Sequence, residues 1–77
     1  MRLRVGDKTY EVSAYAIWRI AIPLEVFPSS RPSKRVKIAC RRGEAELTLS
    51  HVAFKYAYYY VPAHASWVLE EECELVV

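Results

Sequence analysis

Six basic side chains occupy a span of twelve residues near the middle of the chain. They are Arg31, Lys34, Arg35, Lys37, Arg41 and Arg42. Cations grouped in this way can neutralise phosphates, and aromatic rings beside them can stack on the bases of a single strand. Tyr58 is the ring that we assign to this role. The cluster predicts a small module that binds DNA or RNA through phosphate contacts. Its sequence specificity should be low, because no recognition helix is evident.

The overall charge supports another interpretation of the same cluster. The net charge is only +2 and the pI is about 8.6, whereas a dedicated nucleic-acid domain has a pI above about 9. Glutamates at 70, 71, 72 and 74 could lie across a sheet from Arg35 and Lys37 and form ordinary ion pairs. We expect Arg31, Lys34, Arg41 and Arg42 to stay unpaired within the chain, which makes them the first candidates for phosphate contacts.

A run of three tyrosines, Tyr58–Tyr60, offers a second kind of surface. On a helix, three consecutive residues cannot all face a core, so at least one ring is exposed or lies at an interface. We assign Tyr59, Tyr60 and Trp18 to such an interface. The alternative function is therefore a protein-interaction or homo-oligomeric module that uses the apolar runs 14–22 and 51–60.

Other chemistries find little support in the sequence. The two histidines and two cysteines lack any zinc-site spacing, Asp7 is the single aspartate, and no glycine-rich phosphate loop is present. We predict no enzyme activity, no cofactor and no metal. Cys40 and Cys73 are expected to be buried thiols that act as small hydrophobic residues. A disulfide between them is the alternative.

The composition indicates one globular domain covering residues 1–77. Of the residues, 53% are hydrophobic and 26% are charged, as expected of a chain that folds. Asn and Gln are absent, which together with the abundant charge is a thermophile tendency. No signal peptide and no apolar run long enough to cross a membrane is visible, so a cytoplasmic protein is expected.

Alternating hydrophobic residues predict strands over 1–5, 9–12, 36–40, 45–49 and 67–77. Ser13 and Ser50 each precede an apolar run and could cap helices over 14–22 and 51–60. For the first run, a strand from Arg19 to Phe27 competes with the helix, because several of its residues are β-branched. The predicted fold is a two-layer α+β sandwich in the order ββαββαβ, with two short helices on one face of an antiparallel sheet. If the aromatic runs are strands, the alternative is a small all-β barrel.

The two halves of the chain also follow a similar plan. A shift of 37 positions sets Gly6 on Gly43, Ser13 on Ser50 and Ala16 on Ala53. Each copy reads as a turn, a short strand, a serine and an apolar run that a proline ends. An internal repeat is therefore possible.

The opening Arg2–Ile17, with its Gly6-Asp7-Lys8 turn, and the segment Leu49–Tyr60 resemble parts of BTB/POZ domains. About half the chain takes part, through hydrophobic spacing rather than a diagnostic motif. This resemblance implies an adaptor that binds other proteins. It also implies that a helix follows each of the strands that end near residues 12 and 49.

Overall fold

The computed structural model describes residues 1–14 and 18–76. In these ranges the chain forms eight strands: β1 (Arg2–Val5), β2 (Lys8–Glu11), β3 (Ser13–Ala14), β4 (Arg19–Pro23), β5 (Arg35–Cys40), β6 (Gly43–Ala53), β7 (Tyr56–Tyr60) and β8 (Glu72–Val76). Short 3₁₀ turns cover Leu24–Val26, Pro28–Ser30 and Ala63–Glu70.

The strands form one mixed sheet in the order β2-β1-β8-β5-β6-β7-β4-β3, curled into a half-barrel. The β1–β8 pair is parallel and the other ladders are antiparallel. β2 and β3 lie at opposite ends of this order, yet Val12 alone separates them in the chain. They are therefore two parts of one bent strand, and the bend brings the two ends of the sheet together.

The concave face of the sheet holds the core. Alternation along each strand points one set of side chains inward, and Leu3, Ile20, Ile22, Ile38, Leu47, Ala57, Tyr59 and Val68 are completely buried. No charged or polar residue in the described part of the chain is buried. The charged side chains of the strands consequently occupy the convex face.

The predicted α+β sandwich is wrong, because the two expected helices are absent from the described residues. In run 14–22, Arg19–Pro23 is the strand β4, and residues 15–17 lie outside the described ranges. Run 51–60 belongs to β6 and β7, with Ser50 at a bulge rather than at a helix cap. The closed-barrel alternative also differs from the structure, since no ladder joins β2 to β3 in the described part of the chain. The strand-to-helix passage implied by the BTB/POZ resemblance after residue 49 is a hairpin instead.

The strand conformation of these runs follows from their side chains and their partners. β-Branched and aromatic residues fit a pleated surface better than a helix. Ala57 and Tyr59 of β7 are completely buried and alternate with more exposed residues, which is a period of two. Ile20 and Ile22 of β4 are completely buried as well, and the small Ala21 between them is also buried. Antiparallel pairing of β4 with β7 then satisfies backbone groups that a helix would have satisfied locally.

The β4–β7 ladder joins segments 37 positions apart, although the residues that the sequence shift aligns lie outside this ladder. Arg19–Pro23 lies 37 positions before Tyr56–Tyr60, and the central pair of the ladder, Ala21 and Tyr58, is separated by the same 37 positions. The ladder is extended by two backbone hydrogen bonds, from Leu24 N–H to the Lys55 carbonyl (2.8 Å) and from Val61 N–H to the Trp18 carbonyl (2.7 Å). A shift of 37 exchanges these two bonds, as the local two-fold symmetry of any antiparallel ladder requires.

The aligned glycines Gly6 and Gly43 do not occupy equivalent positions in the structure. Gly6 is the first residue of the two-residue turn between β1 and β2, where its φ of 63° favours glycine. The corresponding turn between β5 and β6 is Arg41–Arg42, which lies 35 positions later, and Gly43 already belongs to β6. The two hairpin turns are thus spaced by 35 positions, which does not match the 37-residue shift suggested by the sequence.

A disulfide joins β5 to β8. Cys40 and Cys73 lie directly opposite each other in the antiparallel ladder, with their Cα atoms 4.3 Å apart. The prediction of two free thiols is therefore wrong. The bond closes a loop across a separation of 33 positions, for which chain entropy gives a stabilisation of about 3 to 4 kcal/mol.

Candidate nucleic-acid interface

The convex face of β7 carries three tyrosines in a row. Tyr56, Tyr58 and Tyr60 alternate with Ala57 and Tyr59, which are completely buried. Tyr56 and Tyr60 are each 43% exposed, and Tyr58 is half-buried. Alternate side chains of a strand point to the same face, so the three rings form one stripe. On a helix, Tyr58 would point away from Tyr56 and Tyr60.

Arg19 lies across the sheet from Tyr60 and covers its ring. The two residues are opposite each other in the β4–β7 ladder, and the guanidinium carbon is 4.9 Å from the ring centroid, a cation–π contact. A hydrogen bond from Ser50 lowers the pKa of Tyr60, and the positive charge of Arg19 lowers this pKa further. The end of the tyrosine stripe is therefore electropositive.

His51 extends the aromatic surface onto β6. Its ring stacks on Tyr58 with centroids 4.5 Å apart and planes inclined by 12°. A bulge between Leu49 and His51 shifts the register of β6 at this point. Thr48 and His51 therefore both face outward, although they are three positions apart.

Arg35 completes a row of outward side chains that crosses four strands. Arg35 of β5 is opposite Thr48 of β6, Thr48 is opposite Tyr60 of β7, and Tyr60 is opposite Arg19. Because neighbouring strands are about 4.8 Å apart, the two arginines begin about 14 Å apart at the backbone. The row thus places a cation on each side of an aromatic ring.

The loop before β5 adds basic side chains at the same end of the sheet. Arg31 and Lys34 are both exposed. The carbonyl oxygen of Lys34 accepts a hydrogen bond from Leu49 N–H (2.7 Å), and that of Ser33 accepts one from the Tyr59 hydroxyl (2.6 Å). These two bonds fix the loop beside the tyrosine stripe.

The remaining members of the predicted basic cluster lie elsewhere. Lys37 is opposite Glu46 in the β5–β6 ladder. Arg41 and Arg42 occupy the turn at the other end of β5, which begins about 20 Å from Arg35 along the strand. There Arg42 forms an ion pair of 3.1 Å with Glu71, so the expectation that it stays unpaired is wrong.

Arginines other than the expected ones balance the acidic residues. Arg2 contacts Glu11 at 3.4 Å, and Arg4 contacts Glu74 at 2.6 Å, which raises the pKa of the Arg4 guanidinium. The residue of β8 opposite Lys37 is Val76 rather than a glutamate. The predicted pairing of residues 70–74 with Arg35 and Lys37 is therefore wrong, and the acidic side of the sheet lies around β1 and β8.

The three residues assigned to a protein interface differ in accessibility. Trp18 is 44% exposed and Tyr60 is 43% exposed, so both are accessible to a partner. Tyr59 is completely buried and packs against Phe27 with ring centroids 6.0 Å apart. The assignment of Tyr59 to an interface is wrong, because its side chain fills the core.

Arg19 and His51 belong to this patch, and the sequence-based prediction did not include them. The useful signal was the alternation in Tyr56-Ala57-Tyr58-Tyr59-Tyr60, which places three rings on one side of a strand. On a helix, Tyr58 would instead point away from Tyr56 and Tyr60. The strand assignment also aligns Arg19 with Tyr60.

Fold and site together define a small β-sheet protein with an aromatic, basic patch on its convex face. Comparison with known protein families, characterised proteins and solved structures gives no match. Among the described residues, no helix is long and apolar enough to cross a membrane, and no cluster of three or more metal-ligating side chains occurs.

Proposed function

We propose that this protein binds single-stranded nucleic acid with low sequence specificity on the convex face of β5, β6, β7 and β4. The observation that carries the proposal is the row of Arg35, Thr48, Tyr60 and Arg19. A single strand of nucleic acid that lies along this row meets the Tyr60 ring between the two arginines. Basic grooves with aromatic platforms are the usual means of binding unpaired strands.

Each part of the patch has a distinct chemical role in this proposal. Lys34, Arg35 and Arg19 contact phosphates, and each neutralised phosphate releases counterions. Tyr60 and Tyr58 stack on bases, which contributes about 1 to 3 kcal/mol for each base. Because every base has a π face and every nucleotide a phosphate, these contacts discriminate little between sequences.

An unpaired strand fits this face better than a duplex does. The bases of a duplex are stacked on one another, so rings on a sheet surface cannot reach their faces. The phosphate contacts would remain available to a duplex and give it weaker, salt-dependent binding.

Fluorescence anisotropy with labelled single-stranded DNA, RNA and duplex DNA tests the proposal. The matched variants are Arg35→Gln in the patch and Arg41→Gln in the β5–β6 turn, because each removes one positive charge. Arg41 lies beside the glutamates of residues 70–74 and outside the patch. We expect single strands to bind most tightly and Arg35→Gln to weaken that binding. Arg35→Gln should also reduce the slope of log K against log salt by about 0.7, the value for one phosphate on a single strand. Equal effects of the two variants, or no binding at low salt, would contradict the proposal.

Self-association through Trp18 and Tyr60 is the competing function. Sedimentation of the purified protein without nucleic acid separates the two. A monomer that becomes heavier on adding an oligonucleotide supports the proposal, whereas a stable dimer that Trp18→Ser dissociates supports the competitor.

A further inference from the structure

Phe54 is the most exposed large hydrophobic residue in the described part of the chain. It is 96% exposed and occupies the first position of the two-residue turn, Phe54–Lys55, that joins β6 to β7. Next to the turn, Val52 is 46% exposed, although its partner in the ladder, Ala57, is completely buried. The tip of this hairpin therefore extends beyond the core and presents an apolar ring to solvent.

The backbone at this position makes the presence of phenylalanine unusual. The φ of Phe54 is 56°, a conformation that bulky residues rarely adopt. Glycine, asparagine or aspartate is the usual residue at the corresponding position of a tight hairpin turn. Folding alone thus favours another residue here for two reasons, the exposed ring and the positive φ.

The turn is continuous with the proposed binding face. Phe54 precedes Tyr56, the first ring of the tyrosine stripe, by two positions, and Lys55 between them adds an exposed cation. Glu25 is the acidic residue that lines the shallow cleft beside this turn, together with Pro23, Leu24 and Ser30. The outward row of rings from Tyr60 to Tyr56 thus ends next to Phe54, with Arg19 at one end of the row and Lys55 at the other.

We propose that Phe54 stacks on an unpaired base and forms the outer end of the single-strand site. This inference rests on the proposed function and adds a base-contacting residue to it. The chemistry that it recognises is the planar face of a nucleobase, and the neighbouring Lys55 contacts the adjoining phosphate.

Substitution of Phe54 tests this role without threatening the fold, because Phe54→Gly suits the positive φ. We expect Phe54→Gly to weaken binding of a single-stranded oligonucleotide about 5- to 100-fold, as for the loss of one stacked base. The slope of log K against log salt should not change, because no charge is removed. Phe54→Leu keeps an apolar side chain without a π face and should weaken binding as well. Val76→Ala, a change at an exposed valine on β8, is the control and should bind as the unmodified protein does.

The possible outcomes separate this inference from the proposed function. If the unmodified protein binds no oligonucleotide, the proposed function fails and the inference fails with it. If binding depends on Arg35 but Phe54→Gly binds equally tightly, the inference alone is overturned. Normal binding by Phe54→Leu with weak binding by Phe54→Gly would indicate an apolar contact and overturn stacking. A dimer that Phe54→Gly dissociates, with no change in oligonucleotide affinity, would assign the ring to a second copy of the chain.

Discussion

The hydroxyl of Tyr59 donates a hydrogen bond of 2.6 Å to the carbonyl oxygen of Ser33. Tyr59 is completely buried on β7, and Ser33 belongs to the loop that carries Arg31 and Lys34. The buried side of β7 thus holds the basic loop in place through Tyr59. The outer side of the same strand carries the tyrosine stripe. This bond connects the packing of the sheet to the position of the proposed phosphate contacts.

Removing that hydroxyl should affect both stability and binding. We expect Tyr59→Phe to lower the free energy of unfolding by about 1 to 2 kcal/mol, because the Ser33 carbonyl loses its partner. Urea denaturation measures this loss. Oligonucleotide affinity should fall modestly because the loop is less well fixed. Unchanged values of both quantities would show that the bond has no influence.

Stability at alkaline pH should depend on the same residue. Burial raises the pKa of Tyr59 to about 12, whereas a tyrosine in an unfolded chain has a pKa near 10. The folded state therefore binds this proton more tightly, and its contribution to stability is complete below pH 10 and is lost as the pH rises towards 12. Denaturation midpoints of the unmodified protein should fall over that interval more steeply than those of Tyr59→Phe. Parallel pH profiles of the two proteins would contradict the assignment.

The ionisation of Tyr60 should respond to both of its polar neighbours. The Ser50 hydrogen bond is the largest cause of its lowered pKa, and Arg19 lowers the pKa through its charge and through a hydrogen bond. Ser50→Ala and Arg19→Gln should therefore each raise the pKa of Tyr60. Titration of the tyrosine ring by NMR measures the shifts. An unchanged pKa in either variant would contradict the corresponding contact.

Reduction of the disulfide should destabilise the protein strongly. Replacing Cys40 and Cys73 by alanine should lower the free energy of unfolding by about 3 to 4 kcal/mol if the bond acts through chain entropy. A reducing agent should lower the denaturation midpoint of the unmodified protein and leave that of the double variant unchanged. Insensitivity of the unmodified protein to a strong reductant in denaturant would indicate that the thiols are free.

Both hairpin turns should be most stable with glycine at the position of positive φ. Gly6 has a positive φ and open space around its missing side chain, so Gly6→Ala should destabilise by about 1 kcal/mol through backbone conformation alone. Phe54→Gly should stabilise by a similar amount, since glycine accepts the φ that phenylalanine tolerates poorly. Thermal denaturation of both variants checks the pair. A loss of stability in Phe54→Gly would mean that the ring makes contacts that offset its backbone cost.

The sequence by itself determined the elements whose pattern is local. Alternation of Leu3 with Arg2 and Arg4 predicts β1, and the same rule predicts β5 over 36–40 and the acidic outer face of β8. Its short alternating stretches also indicated two hairpins. These features depend on which side of a strand each residue occupies, and neighbouring residues alone specify that.

Only the tertiary structure decided what depends on distant partners. The β-branched residues of 19–23 and the alternation in 56–60 favour strands locally, but no local pattern reveals that the two runs pair with each other across 37 positions. The disulfide forms because the β5–β8 register sets Cys40 opposite Cys73. The basic cluster divides because β5 is extended, so that Arg35 lies near Tyr60 while Arg42 meets Glu71. In each case the energy comes from contacts between segments far apart in the chain, and ladder register fixes which residues meet.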